Sequence, residues 1–147
     1  MKKAFVQIGI FSILLALLDQ AVKWIAGSYL IKPLVLAPWA SLRYEQNTGI
    51  AWSIPVPQPW LNYAIVILLI FIPFFIAGQI DLRKKNARIY LGMIMGGAIG
   101  NLFDRLVHGY VVDYVSVGWW PVFNLADALL CAGIFLIIVF YGKIKRV

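Results

Sequence analysis

Four long apolar runs alternate along the chain with shorter and more polar connections. The runs cover residues 4–27, 60–80, 89–108 and 122–141, and a helix needs roughly 20 apolar residues to cross a bilayer. Little sequence remains outside these runs for a soluble domain. The pattern therefore predicts an all-α integral membrane protein with four transmembrane helices, and we expect residues 1–147 to form a single domain.

The composition and the placement of charge agree with this prediction. Hydrophobic residues make up 63% of the chain and charged residues 13%, whereas a soluble domain is nearer half apolar and a quarter charged. Nine of the thirteen Lys and Arg residues lie before the first run, between the second and third, or after the fourth: Lys2, Lys3, Arg83, Lys84, Lys85, Arg88, Lys143, Lys145 and Arg146. The positive-inside rule places these segments, and hence both termini, in the cytoplasm. The net charge of +7 therefore indicates topology, and we expect no nucleic-acid partner.

The first run has an alternative interpretation as a cleavable signal peptide, since two lysines precede an apolar run of 15 residues. That run continues into Asp19, Gln20 and Lys23, and the helix count and charge placement both favour its retention. The single Cys131 and the single His exclude an internal disulfide and a Cys/His zinc site. We expect neither a metal nor a cofactor.

The two outer connections, residues 28–59 and 109–121, carry signals typical of β-structure. In residues 41–54 (SLRYEQNTGIAWSI), the turn sequence Asn47-Thr48-Gly49 lies between short runs with aromatic or β-branched residues. This predicts a small extracytoplasmic hairpin or curved sheet in the first outer connection. Residues 111–115 form another strand-like run. Tryptophans at the outer boundary are typical of an aromatic belt: Trp39, Trp52, Trp60, Trp119 and Trp120.

Polar residues within the runs gather at one depth, just inside the outer interface. A charge at the bilayer centre costs about 2.5–3.5 kcal/mol, so such residues face protein or water and usually serve a function. They occur in pairs whose spacing of three or four places both side chains on one helical face: Asp19 and Lys23, Asn101 and Arg105, and Asn124 and Asp127. Two pairs also have a structural interpretation, the first as an intrahelical ion pair and the third as a capping box.

The third run places small residues beside this polar cluster. A ridge at four-residue spacing, which is typical of close helix packing, consists of Gly92, Gly96 and Gly100. The adjacent row points polar groups into the gap between helices and consists of Gly97, Asn101 and Arg105.

Capping and packing do not explain Asp113, which follows the third run on the outer side. Asp127 lies about five residues into the fourth helix, or ~7 Å along its axis. The short connection makes the third and fourth helices antiparallel neighbours, so the two carboxylates can meet. Two close carboxylates share a proton, and such a pair activates water in aspartic proteases.

Five motifs follow one another along the chain: DQAVK (residues 19–23), NTGIAWS (47–53), GGAIGNLFDR (96–105), VVDY (111–114) and FNLADA (123–128). Together they closely resemble the bacterial lipoprotein signal peptidase family, also called signal peptidase II. The resemblance spans nearly the whole chain. It implies a membrane aspartic endopeptidase that removes the signal peptide of a prolipoprotein just before a cysteine carrying diacylglycerol.

The resemblance also implies roles for single residues. The catalytic pair would be Asp113 and Asp127, and the substrate site would be lined by Asn47, Gly49, Asn101, Arg105 and Asn124. Support would come from Asp19, Lys23 and Gly97. We expect inhibition by the cyclic peptide globomycin, contact with membrane lipid, and a monomer in the bacterial inner membrane with its active site near the extracytoplasmic face.

The segment YVSVGWWPVFNLA, between Asp113 and Asp127, departs from the family pattern. Family members usually carry extra residues there that form a small helix over the site, so the short segment predicts a reduced lid. Two other classes remain open from the residues alone. A transporter or channel subunit with a proton-relay pair would need polar residues toward the cytoplasm, but residues 67–75 and 133–140 are almost wholly apolar. A purely structural subunit does not explain why three helices place polar residues at one depth.

Cysteine labelling tests the predicted topology. In sealed cells, a membrane-impermeant thiol reagent is expected to label Ser41→Cys and not Lys85→Cys, because the basic middle connection should remain in the cytoplasm. Labelling at position 85 would contradict the four-span arrangement.

Overall fold

The computed structural model describes residues 2–49 and 58–146, with helices interrupted by three short strands. In chain order the elements are α1 (Lys2–Tyr29), β1 (Leu34–Ala37), β2 (Ala40–Asn47), α2 (Gln58–Gln79), α3 (Lys85–His108), β3 (Val111–Val117), α4 (Leu125–Val139) and α5 (Tyr141–Ile144). Each apolar run of the sequence therefore overlaps one of the helices α1 to α4. The protein is mostly helical with one small sheet, as predicted.

The helices differ in how clearly they meet the requirements of a membrane span. Within the described residues, two helices, Lys2–Tyr29 and Pro59–Gln79, are long and apolar enough to cross a bilayer. Helix α4 is apolar but has only 15 residues, fewer than the roughly 20 that a span usually needs. The four-span arrangement therefore stays a prediction.

Helix α4 begins three residues later than the apolar run suggested. Phe123 pairs with Val115 of β3 in an extended conformation, and Asn124 has φ −126° and ψ −178°, so the chain is not yet helical there. The side chain of Asn124 then caps the first turn. Phe123 thus pairs with the sheet and is not part of the helix.

The three strands form one antiparallel sheet in the order β1-β2-β3. A hairpin forms within the first outer connection, with its turn at Pro38 and Trp39. Strand β3 comes from the second outer connection, where residues 111–115 were predicted as a strand-like run, and it joins the two strands of the first connection. Pairing between residues as distant as Asn47 and Val111 builds the sheet, and a local pattern cannot show it. The run predicted to follow Gly49, including Trp52, lies outside the described residues.

The pairing of β2 with β3 contains an irregularity next to a candidate site residue. Leu42 lies opposite Val115 and Glu45 lies opposite Asp113, so β2 uses one residue more than β3 between these two pairs. An extra residue of this kind is a β-bulge, which bends the strand and fixes which side chains face inward. Asp113 is buried as a result of this register.

Helix α3 is the central helix, and its two rows of small residues pack against different neighbours. The ridge that includes Gly100 faces α1, where an added Cβ would lie 2.6 Å from the Asp19 carboxylate. The row that includes Gly97 faces α4, where an added Cβ would collide with the carbonyl oxygen of Ala126. Both rows therefore allow the close approach that glycine permits in membrane helices. This approach brings the polar residues of α1, α3 and α4 together.

The outer surfaces of the helices are apolar, as expected for contact with lipid. Leu17 on α1 and Phe71 and Phe75 on α2 are 60%, 66% and 72% exposed, and a soluble monomer rarely leaves such residues uncovered in a continuous patch. Near the sheet, the described tryptophans of the proposed belt are all exposed: Trp39, Trp60, Trp119 and Trp120.

Candidate active site

Buried polar side chains converge where α1 and α3 end, α4 begins and β3 passes between them. Those that are almost wholly shielded from solvent are Asp19, Lys23, Asn101, Asp104, Asp113 and Asn124. Buried polar groups are stable when they are hydrogen-bonded to one another. The cluster forms one continuous hydrogen-bonded network that also includes Asn47, Gly49, Arg105 and Asp127, whereas Gly97 contributes only packing against Ala126.

Asp127 serves two purposes with its two carboxylate oxygens. Its Oδ2 accepts from the backbone N–H of Asn124 at 3.2 Å, while the Asn124 side chain accepts from the N–H of Asp127 at 2.9 Å. This reciprocal pair is the predicted capping box. The other oxygen, Oδ1, accepts from Nδ2 of Asn101 on α3 at 2.7 Å. Capping therefore occupies one oxygen and leaves the other directed to the site.

Asp113 lies on β3 and is 2% exposed. Its Oδ1 accepts from Nδ2 of Asn124 at 2.7 Å, and its Oδ2 accepts from Nδ2 of Asn47 at 3.0 Å. Burial raises the pKa of Asp113 from its ordinary value of 3.8 to about 6, although the hydrogen bond from Asn47 opposes the increase. The negative charge of Asp127 raises this pKa further, as expected for two nearby carboxylates.

The two aspartates are linked through a pair of asparagine amides. Asn124 donates to Asp113 and also to Oδ1 of Asn101 at 3.1 Å, and Asn101 in turn donates to Asp127. Because each amide has a donor end and an acceptor end, this chain of bonds fixes both amide orientations. Helices α3 and α4 are therefore neighbours, and the link between the two carboxylates runs through these amides.

Arg105 joins the first outer connection to the helices. Its Nη2 donates to the carbonyl oxygen of Gly49 at 3.0 Å, and Nη1 donates to the carbonyl oxygen of Asn101 at 3.3 Å. Asn47 holds the same connection in place by accepting from the N–H of Gly49 at 3.0 Å. The Nε–H of Arg105 is buried and has no partner within the described residues, and a buried donor of this kind calls for an explanation.

Lys23 supports this network from α1. Its ammonium nitrogen lies 2.8 Å from Asp19, which confirms the intrahelical ion pair, and 2.9 Å from Oδ1 of Asn101. Asp19 also accepts from the backbone N–H of Ala126 at 2.9 Å. The ion pair therefore connects α1 with both α3 and α4, which is more than an intrahelical role.

Asp104 belongs to the same cluster, although the sequence interpretation gave it no role. Its carboxylate lies 2.9 Å from the ammonium of Lys23, and it accepts from Gln20 at 2.8 Å and from the backbone N–H of Val112 at 3.1 Å. The sequence contains a signal for this residue, because Asp104 continues the four-residue spacing of Gly96 and Gly100 and so lies on the same face of α3. Gln20 was also missed, although it lies within the DQAVK motif.

An apolar cavity of about 290 Å³ opens from this network between α2, α3 and α4. Its polar end is formed by Asn101, Arg105 and Asp127, and its remaining walls include Leu61, Ile65, Leu68, Ile72, Ile94 and Leu130. A larger cavity of about 680 Å³ lies among different residues at the other end of the helices. We assign the candidate active site to the smaller cavity because, of the two, it alone is lined by members of the polar network: Asn101, Arg105 and Asp127.

The segment between β3 and α4 is short and contains no helix in residues 118–124, all of which the structure describes. Gly118, with φ 53°, donates its N–H to the carbonyl of Trp39 at 2.7 Å, which joins this segment to the β1–β2 turn. Residues 118–124 therefore form no small helix, as the shortness of the segment predicts.

Comparisons with known proteins agree on one family. The family described as Signal peptidase (SPase) II matches residues 11–142 of this chain. The chain is 37% identical to a lipoprotein signal peptidase of Syntrophomonas wolfei, covering 91% of this chain and 92% of that protein. It is 38% identical to a lipoprotein signal peptidase of Listeria monocytogenes, covering 84% of each.

Two solved structures share the fold. Both are described as bacterial membrane enzymes determined by the in meso method, and both are 25% identical to this chain. The first superposes with a TM-score of 0.77 over 92% of this chain and 87% of the other, and the second with 0.73 over 90% of each.

The raised pKa of Asp113 predicts a pH-dependent stability. Because the folded state holds this proton more tightly than the unfolded state, stability from this group is lost as the pH rises from about 4 through about 6. Relative to Asp113→Asn, the unfolding free energy of the wild type should fall by roughly 3 kcal/mol over that range. Thermal unfolding of both proteins in detergent measures this difference. Parallel curves for the two proteins would show that Asp113 titrates normally.

Proposed function

This chain belongs to the signal peptidase II family and removes signal peptides from prolipoproteins, and we propose that it does so as an aspartic peptidase with Asp113 and Asp127 as its catalytic pair. One observation carries the proposal. Asn101 and Asn124 link the two carboxylates to each other, and Asp127 lines an apolar cavity between helices.

In this mechanism the two carboxyl groups act in different protonation states. We assign the proton to Asp113, because burial raises its pKa toward 6. Ionised Asp127 then accepts a proton from water, which attacks the scissile carbonyl carbon while Asp113 donates a hydrogen bond to the carbonyl oxygen. Collapse of the tetrahedral intermediate breaks the C–N bond, and the proton held by Asp127 passes to the leaving amine.

The capping box supports this assignment of Asp127. Its Oδ2 is held by the backbone of Asn124 and its Oδ1 by Asn101, so the carboxylate cannot rotate freely. A base fixed in one orientation loses little entropy when it meets the substrate. Structural and catalytic roles are therefore combined in one side chain.

Arg105 is suited to hold the substrate backbone. It contributes to the lining of the apolar cavity, and its buried Nε–H has no partner within the described residues. A peptide carbonyl of the substrate would satisfy this donor. The apolar walls would take the diacylglyceryl chains of the lipidated cysteine, and we expect a globomycin-type inhibitor to occupy the same cavity.

The membrane placement follows from the same proposal. The substrate is anchored by lipid, so its cleavage site lies at the membrane surface, and the polar network lies at the ends of α1 and α3 near the exposed tryptophans. We propose one integral membrane domain of four spans in the bacterial inner membrane, with both termini cytoplasmic and the site near the extracytoplasmic face. A single chain contains all the proposed site residues, which is sufficient for action as a monomer.

Replacing either aspartate tests the catalytic pair. Asp113→Asn and Asp127→Asn should each reduce cleavage of a diacylglyceryl-modified precursor by at least about 1000-fold, and the double variant should lose little more. An amide cannot transfer the proton, so catalysis should be lost. Its oxygen can still accept the capping hydrogen bond, so the free energy of unfolding should fall by no more than about 1 kcal/mol.

Cleavage and thermal unfolding are measured on the same preparations, with Asp81→Asn at the far end of the helices as the control. The control should cleave at the wild-type rate. A folded Asp127→Asn protein with appreciable activity would leave Asp127 with the capping role alone.

Arg105→Lys tests the substrate-binding role. Lysine keeps the charge but loses the planar set of donors, including the Nε–H that we assign to the substrate, so turnover should fall about 100-fold. Arg43→Lys, on an exposed arginine of β2 that pairs with Glu45, is the matched control and should cleave normally. Near-normal turnover of Arg105→Lys would reduce Arg105 to a packing or topology role.

A further inference from the structure

The larger cavity, of about 680 Å³, opens far from the carboxylate network. It lies between the first turns of α1 and the segment that connects α2 to α3. Lys3, in its wall, precedes Asp19 by 16 residues, which corresponds to about 24 Å along a helix. The cavity therefore belongs to the opposite end of the helices and has no part in the proposed catalysis.

Backbone hydrogen bonds and apolar packing hold the base of this cavity in place. The backbone N–H of Asp81 donates to the carbonyl of Ile144 at 2.7 Å, and that of Arg146 donates to the carbonyl of Gln79 at 3.0 Å. Ile80 and Ile144 are only 1% and 2% exposed and belong to one hydrophobic cluster. The C-terminal segment is thus attached to the end of α2, and Arg146 is positioned beside residues that are distant in sequence.

The charges around the cavity are not balanced. Its lining includes four basic residues, Lys3, Arg83, Arg88 and Arg146, and one acidic residue, Asp81. Arg83 donates to both carboxylate oxygens of Asp81 at 2.9 and 3.0 Å, and these hydrogen bonds lower the pKa of Asp81 to about 2. Asp81 is therefore ionised at neutral pH and already paired, so the positive charges of the other three residues remain.

The remaining cations are available to a ligand. Arg88 uses Nη1 to donate to the carbonyls of Leu82 and Arg83 at 2.8 and 2.7 Å, which fixes its guanidinium and leaves its Nε and Nη2 without partners among the described residues. The side chains of Lys3 and Arg146 make no hydrogen bond or ion pair with any residue that the structure describes. Guanidinium groups held in this way suit phosphate oxygens.

We propose that this cavity binds the phosphodiester headgroup of an anionic membrane phospholipid. Phe5 lines the cavity, and its ring lies 6.3 Å from that of the exposed Phe74, which gives the acyl chains an apolar surface next to the headgroup. Basic pockets between membrane helices bind anionic lipids in this way. The positive-inside rule requires basic residues near the membrane, but it does not require three separate segments to place them around one cavity.

Matched double variants test the proposal. Lys3→Gln/Arg146→Gln removes two cations from the cavity wall, whereas Lys2→Gln/Lys145→Gln removes the same charge from neighbouring positions that do not line it. Native mass spectrometry of the full chain in detergent measures retention of phosphatidylglycerol, phosphatidylcholine of the same chain length, and free glycerol 3-phosphate. No peptide substrate is needed, so the result is independent of the catalytic pair.

The wild type and the control are expected to retain phosphatidylglycerol in preference to phosphatidylcholine. In Lys3→Gln/Arg146→Gln, the ratio of retained phosphatidylglycerol to phosphatidylcholine should be at least fivefold lower. The two single variants, Lys3→Gln and Arg146→Gln, should each lose part of that preference and serve in place of the double variant if it unfolds. Equal loss in both double variants, no preference in the wild type, or equal binding of glycerol 3-phosphate would overturn the proposal.

Discussion

The buried ammonium group of Lys23 is shared by two carboxylates and an amide from two helices. Its nitrogen lies 2.8 Å from Asp19, 2.9 Å from Asp104 and 2.9 Å from Asn101. An isolated buried charge costs several kcal/mol, whereas a charge that is paired and fully hydrogen-bonded can be retained. Each carboxylate makes a further contact, Asp19 with the backbone of α4 and Asp104 with the backbone of β3. The close packing of these four elements therefore depends on ion pairing and hydrogen bonding at one point.

The same ammonium also orients the amide that meets the proposed base. Because the Asn101 oxygen accepts from Lys23 and Asn124, the nitrogen of that amide faces Asp127. A flipped amide would present a nitrogen to the ammonium and an oxygen to the carboxylate, and both contacts would become repulsive. A residue on α1 thus controls the hydrogen bonding of a carboxylate on α4 that it does not touch.

Spacing within single helices made much of the site predictable. Residues three or four apart share a helical face, so the polar pairs of α1, α3 and α4 and the depth at which they meet could be predicted from the chain. Asp104 was missed because the glycine ridge that it continues was interpreted only as packing. Residues 111–115 were predicted as a strand, but their place in the sheet and the late start of α4 depend on pairing between distant segments, for which a local hydrophobic pattern contains no information.

The bulge between Leu42 and Glu45 has a consequence for the whole outer connection. Side chains alternate between the two faces of a strand, so a slip of one residue between β2 and β3 would turn Asp113 away from Asn124 and toward the opposite face. A shift of the pairing by one residue changes this parity, whereas a shift of two preserves it. The register between β2 and β3 is therefore a constraint on the chemistry, because only shifts by an even number of residues keep the aspartate facing inward.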